Sequence, residues 1–196
     1  MAQVADAGAA RRARLWAIGK REAIAMTVGA LLYGFFGWAT SGLRIPGPFD
    51  SQIRPGVVIP LFFGAAFGPV VGFITGSVGN MLIDWLGRGE IFWNWAIGNG
   101  IMGLVAGLAA NSFRRLDSPR AIGIAVVYSV LGVLAGMGFA AVTDIWGRPQ
   151  LVHGPSDIWG AFYPVAVSNS IAAIVLVPLL CIAYESARTA WNQAGT

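Results

Sequence analysis

The side chains able to do chemistry are few, and they sit inside long apolar runs. Asn80 and Asp84 are four residues apart, which puts both on one face if that stretch is helical. Trp95 and Asn99 repeat the spacing, with Asn94 beside them. Thr143 and Asp144 close one apolar run, and Tyr163 and Asn169 lie along the last. Amides and carboxylates at membrane depth are expensive and face protein cavities. The set therefore reads as a pocket, with amides and hydroxyls for hydrogen bonds and indoles to stack on a planar ligand. A plainer reading stands beside it. Trp93, Trp95, Trp146 and Trp159 also fit an interfacial aromatic belt, and Asn99 and Asn169 also fit helix-to-helix hydrogen bonding.

Catalytic arrangements are weaker. Acyl transfer needs a serine and a histidine within hydrogen-bond reach. Ser77 falls in mid-run and the lone His153 in the connection 147–157, so that pairing fails on position. No Gly-x-x-x-x-Gly-Lys-Ser/Thr phosphate loop is present, so the chain does not hydrolyse ATP in that way. One histidine and one cysteine, Cys181, make a protein-only zinc site improbable. The chain reads as a non-enzyme without metal or cofactor.

The elements that must position these groups are membrane helices. Of 196 residues, 56% are hydrophobic and 11% charged, against about 25% charged in soluble domains. Such a chain cannot cover a water-facing surface. The net charge of +4 fits the positive-inside bias and not nucleic acid. Six apolar runs stand out: 23–40, 55–68, 70–87, 91–110, 121–143 and 158–184. The second is short, and Pro60 inside it should kink it. With the N-terminus in the cytoplasm, nine basic residues fall inside and four outside, the latter being Arg44, Arg54, Arg88 and Arg148. The expected fold is all-α: a polytopic membrane protein, a compact bundle of about six transmembrane helices with both termini cytoplasmic. Residues 1–22 form a basic leader, 23–184 the membrane domain and 185–196 a cytoplasmic tail.

Gly72/Gly76, Gly103/Gly107 and Gly132/Gly136 are Gly-x-x-x-Gly pairs in the third, fourth and fifth runs. Lipid is as apolar as leucine, so membrane helices associate through close backbone approach, which small residues permit. The connection 41–54, with Arg44 and Asp50, is long and rich in Pro and Gly, and suits a lid. On this topology the polar and aromatic groups gather toward the outer side.

The stretch Arg54-Pro55, the Phe67-Gly68-Pro69 hairpin, Gly72, Gly76, Gly79, Asn80 with Asp84, and the Trp-Asn cluster before Gly98–Gly103 resembles the S component of energy-coupling factor (ECF) vitamin transporters, closest to the riboflavin-type branch. The resemblance implies a substrate-binding subunit in the plasma membrane of a prokaryote. It would capture a riboflavin-like or thiamine-precursor-like vitamin from outside and deliver it inward. Its partners would be a transmembrane scaffold subunit and two cytoplasmic ATPases. The implied pocket maps onto Arg44–Arg54, Trp95, Asn99, Thr143, Asp144, Tyr163 and Asn169, and the reading of the polar set adds Asp84 and Asn94. Docking in this family uses an Ala-x-x-x-Ala pattern on the first helix; here Ala25-x-x-x-Gly29 and Ala30-x-x-x-Gly34 stand instead. The alternative is a membrane scaffold or assembly protein without a small-molecule ligand.

Overall fold

A computed structural model describes residues 16–45, 51–113 and 115–194. Most of the leader and Asp50 of the expected lid lie outside the described residues. Six helices follow one another: α1 (Lys20–Ala39), α2 (Val58–Phe67), α3 (Pro69–Arg88), α4 (Trp93–Leu108), α5 (Pro119–Gly147) and α6 (Pro155–Ala194). Between α1 and α2, β1 (Arg44–Ile45) pairs antiparallel with β2 (Ser51–Gln52), Arg44 opposite Gln52. A 3-10 turn, Pro55–Val57, leads into α2, and another, Ala109–Asn111, follows α4.

Local chemistry explains the boundaries. The Gly19 N–H donates to Glu22 Oε2 at 3.1 Å, closing the first turn of α1. Gly68 has φ 110°, open to glycine but not to other residues, and Pro69 opens α3. This is the turn expected at Phe67-Gly68-Pro69. Gly89, at φ 73°, ends α3 in the left-handed conformation, its N–H on the Trp85 carbonyl. Ser118 Oγ accepts from the Ala121 N–H at 3.2 Å to cap α5.

Two expectations need correction. Pro60 does not interrupt a helix: α2 starts at Val58, so Pro60 lies in the first turn, where its missing N–H is no loss. The last helix does not stop at 184 but runs to Ala194, 40 residues in all. Hydropathy marks where lipid contact ends, not where a helix ends. Pro164 and Pro178 lie inside it, as membrane helices tolerate more readily than soluble ones.

Four helices, α1, α3, α5 and α6, are long and apolar enough to cross a membrane. α2 has 10 residues and α4 has 16, about 15 and 24 Å at 1.5 Å per residue. The chain passes back and forth between two ends. At one end, Arg21 of α1 donates to the Tyr184 hydroxyl of α6 and lies 5.2 Å from the Phe67 ring at the end of α2. The connection after α4 joins them: Glu185 accepts from the Leu116 N–H at 3.1 Å and pairs with Arg115 at 3.0 Å. The hairpin, the α3–α4 connection and the end of α5 form the opposite end.

Backbone contact holds the bundle. A Cβ added at Gly72 would sit against the Gly103 carbonyl, and one at Gly103 against the Gly72 carbonyl. Gly132 and Gly136 meet Met102 and Gly98 of α4 in the same way, and Gly107 meets Pro69 at 2.5 Å from such a Cβ. All three Gly-x-x-x-Gly pairs thus mark helix crossings. Below them Val57, Leu61, Met102, Val133, Met137 and Val177 form the apolar core. Leu31, Phe35, Leu131, Ile171 and Leu179 are exposed on the outside, as a lipid-facing surface requires.

The small residues of α1 face inward. Ala25, Gly29, Ala30 and Gly34 are all buried, and Cβ atoms built at Gly29 and Gly34 would meet Thr75 and Leu82 of α3. They seat α1 on its own bundle. The outward face of α1 carries Ile24, Val28, Leu31 and Phe35, so any partner meeting this helix meets large side chains.

Candidate functional site

One cleft opens at the hairpin end, enclosing about 630 Å³ of non-atom space with its mouth included. β2 supplies Ser51 and Gln52, the following turn Arg54, and α3 Asp84 and Arg88. α4 adds Trp95 and Asn99 just after Phe92, while Met137 of α5, Arg148 beyond it, and Ala161, Val165 and Asn169 of α6 close the far side.

The near wall is a chain of hydrogen bonds. Arg54 Nη1 donates to Asn80 Oδ1 at 2.6 Å, and its Nε donates to Gln52 Oε1 at 2.9 Å. The Asn80 amide donates to Asp84 Oδ2 at 2.9 Å, and Arg54 faces Asp84 across 3.7 Å. Asn99 Nδ2 donates to Asn80 Oδ1 at 3.2 Å and to the Trp95 carbonyl at 2.8 Å. Behind it the wholly buried Tyr33 hydroxyl donates to Asn99 Oδ1 at 2.7 Å. Four-residue spacing on α3 and on α4 aims Asn80 with Asp84, and Trp95 with Asn99, along facing helix surfaces. The glycines beside them let the two backbones come close enough for the amides to meet.

The far wall is a second cluster. Asp144 Oδ1 accepts from Asn94 Nδ2 at 2.7 Å, Trp95 Nε1 at 2.8 Å and Arg148 Nε at 3.0 Å, and Oδ2 takes Arg148 Nη2. Arg148 also lies over the Trp95 ring, 5.5 Å from its centroid. Each carboxylate thus has its own guanidinium, so the walls offer donors and acceptors with much of their charge cancelled. Buried charges persist only when paired and hydrogen-bonded.

The sequence-predicted residues divide three ways. Asp84, Trp95, Asn99 and Asn169 line the cleft. Asn94 and Asp144 stand fully buried behind its wall. Arg44, Thr143 and Tyr163 do not line it: Arg44 is exposed on the hairpin strand opposite Gln52, Thr143 donates to the Phe139 carbonyl of its own helix at 2.6 Å, and Tyr163 is 66% exposed. Arg54 came with the loop that the resemblance gives to the pocket, and Asn80 with the polar set; both join the near wall, while Arg148 stood in the sequence only as an outer basic residue. Tyr33 had one available signal, a lone phenol in an apolar run. Ser51 and Gln52 had only their place in the connection 41–54. Ser77 is buried against Gly100 while His153 is exposed and hydrogen-bonded to Asp157, so no serine–histidine pair forms.

Gly147 tests the far wall. A Cβ there would come within 2.8 Å of Asn94 Oδ1, and Asn94 is held by Asp144 and by the Ala140 carbonyl. Gly147→Ala should lower stability by about 1–3 kcal/mol, read as a drop in thermal midpoint. Gly87→Ala, with open space around it, should leave the midpoint near its starting value. Equal effects would show that Asn94 yields freely.

The sequence profile described as "ECF-type riboflavin transporter, S component" matches residues 21–186. A UPF0397 protein of Streptococcus gordonii is 29% identical over 174 residues, covering 86% of this chain and 90% of its own. A UPF0397 protein of Lactobacillus acidophilus is 27% identical over 180 residues, with 86% and 90% covered. One of Vibrio atlanticus is 28% identical over 129 residues, with 63% and 70% covered. No solved structure matches the chain significantly. With the profile reaching from α1 into α6 and taking in the polar cleft between them, the chain belongs to the family of S components of ECF-type riboflavin transporters.

Proposed function

We propose that the cleft captures a small, planar, water-soluble vitamin or precursor, riboflavin-like or thiamine-precursor-like, from outside the cell. The hairpin end then faces outward, six passes cross the membrane, and both termini lie in the cytoplasm. Residues 23–184 are the membrane unit, and the end of α6 projects beyond it. Membership of this family supports a substrate-binding role in vitamin uptake. Delivery would draw on a scaffold subunit and two cytoplasmic ATPases.

The observation that carries the reading is the concentration of buried polar groups at one place. Asn80, Asp84, Asn94, Asn99, Asp144 and Asn169 are all buried, and all lie in or directly behind one cleft. Groups this expensive in a membrane mark a functional site. Asp84, Trp95, Asn99 and Asn169 are the proposed contacts on the wall, with Asn94 and Asp144 supporting them. Arg44, Thr143 and Tyr163 have no cleft position to argue from. Ala25, Gly29, Ala30 and Gly34 serve docking only through the seat they give α1.

Titration of the purified protein with riboflavin and with the aminopyrimidine precursor of thiamine, read by tryptophan quenching, tests this. One of the two should bind saturably with Kd of about 1 μM or tighter, about −8 kcal/mol. Asn99→Leu and Asn169→Leu should weaken it roughly tenfold or more, as loss of a polar contact does. If neither ligand saturates, and the two variants lose stability alone, the ligand-free scaffold reading replaces this one.

A further inference from the structure

We infer that Asp144 is a positioning residue: it locks Arg148 and Trp95 into one stacked plate that receives a neutral carbonyl edge of the cleft's occupant. The inference rests on the ligand-binding reading above and names what the far wall recognises.

Asp144 itself has no room for a ligand. It is 0% exposed and absent from the cleft wall. Four donors of the protein already hold its carboxylate: the Asn94 amide, the Trp95 indole and Arg148 Nε on Oδ1, and Arg148 Nη2 on Oδ2. Its action passes through the residues it holds, and two of those, Trp95 and Arg148, do form the wall.

The grip has a defined consequence. Bidentate pairing fixes the plane of a guanidinium as well as its position. Here it takes the Nε and Nη2 edge, and Nη1 has no hydrogen-bond partner among the described residues. The same carboxylate pins the indole, and the guanidinium lies 5.5 Å from its ring centroid. The plate thus presents a stacking face and a fixed donor together. Asp144 cancels the charge of Arg148, so the donor works without a net positive field. A carbonyl on a neutral heteroaromatic ring satisfies such a donor. A full anion gains less there, because Asp144 repels what Arg148 attracts.

Asp144→Asn separates these roles, since it keeps the shape and uncovers the arginine's charge. The probes are riboflavin, which carries neutral ring carbonyls, and flavin mononucleotide, which adds a phosphate to the same ring system. In Asp144→Asn, riboflavin should weaken roughly tenfold or more, the effect of one hydrogen bond to a charged donor. The ratio of the two dissociation constants should move toward flavin mononucleotide by a similar factor. A purely structural Asp144 would weaken both equally, and that result, like no change at all, overturns the inference. Should Asp144→Asn not fold, Arg148→Lys keeps the charge beside Asp144 but loses the bidentate fork and Nη1. It should weaken riboflavin roughly tenfold or more while flavin mononucleotide weakens less, and unchanged affinity or equal weakening of both overturns the inference. If the unaltered protein binds neither flavin, the flavin reading fails separately. The positioning role is then judged without ligand, from the Trp95 fluorescence obtained by difference against Trp95→Phe. That emission should become more accessible to acrylamide in Asp144→Asn, and an unchanged signal overturns the role.

Discussion

Gly103→Ala should cost about 3 kcal/mol or more, the upper part of the range for over-packing, and pull the centre of the bundle apart. Gly103 lies where α2, α3 and α4 converge. Cβ atoms built at Gly64 and at Gly72 both run into its carbonyl, and one built on Gly103 itself runs into the carbonyl of Gly72. These are backbone-to-backbone contacts, so no rotamer change relieves them. The helices have to separate, and the amides of Asn80 and Asn99, 3.2 Å apart, separate with them. Both the thermal midpoint and ligand binding should fall. Gly123→Ala is the matched control: it is also a helix glycine, but nothing lies within 4 Å of its added methyl. There the better helix propensity of alanine should stabilise by roughly 0.5–1 kcal/mol. If the two substitutions behave alike, close backbone packing is not what holds this bundle.

Arg54→Leu should abolish most ligand binding and destabilise the protein by about 3 kcal/mol, the lower end for breaking a buried ion pair. The lower end applies because the Arg54 side chain keeps 17% exposure while that of Asp84 keeps only 4%. Without the guanidinium, Asp84 is a carboxylate in a low-dielectric wall, hydrogen-bonded among the described residues by Asn80 and a long contact from the Phe92 N–H. Asn80 Oδ1 loses its shortest partner, and the hairpin loses its tie to α3 through Gln52. Adding Asp84→Leu removes the stranded charge. The double variant should therefore recover much of the stability while binding stays lost. Thermal unfolding and ligand titration on the parent and the two variants separate the outcomes. A single variant as stable as the parent would mean that water reaches Asp84 and the wall is not a buried network.

Much of the fold was legible because the information is local. Apolar runs located all six helices, since each must carry its own lipid-facing or core-facing residues. Gly68-Pro69 declared its turn, because one residue there has to take positive φ and the next cannot extend a helix. The three Gly-x-x-x-Gly pairs marked crossings, because only glycine lets two backbones touch. Boundaries failed where the signal was not local. Residues 185–194 are polar enough to resemble a tail, yet α6 continues through them, seated by Glu185 on Arg115 and the Leu116 N–H.

The sequence by itself determined that this chain is a bundle of apolar helices with a short list of polar groups that lipid would not tolerate unpaired. Only the tertiary structure decided which of those groups meet. Arg54 finds Asn80 and Asp84, Trp95 finds Asp144, and Tyr33 finds Asn99 across long stretches of chain. It also turned the small face of α1 inward onto α3 and left Tyr163 outside the cleft. The physical reason is the same in each case. Hydropathy and glycine spacing act within one helix, whereas the rotation of each helix, and so the partner of every buried polar atom, is set by how all six pack at once.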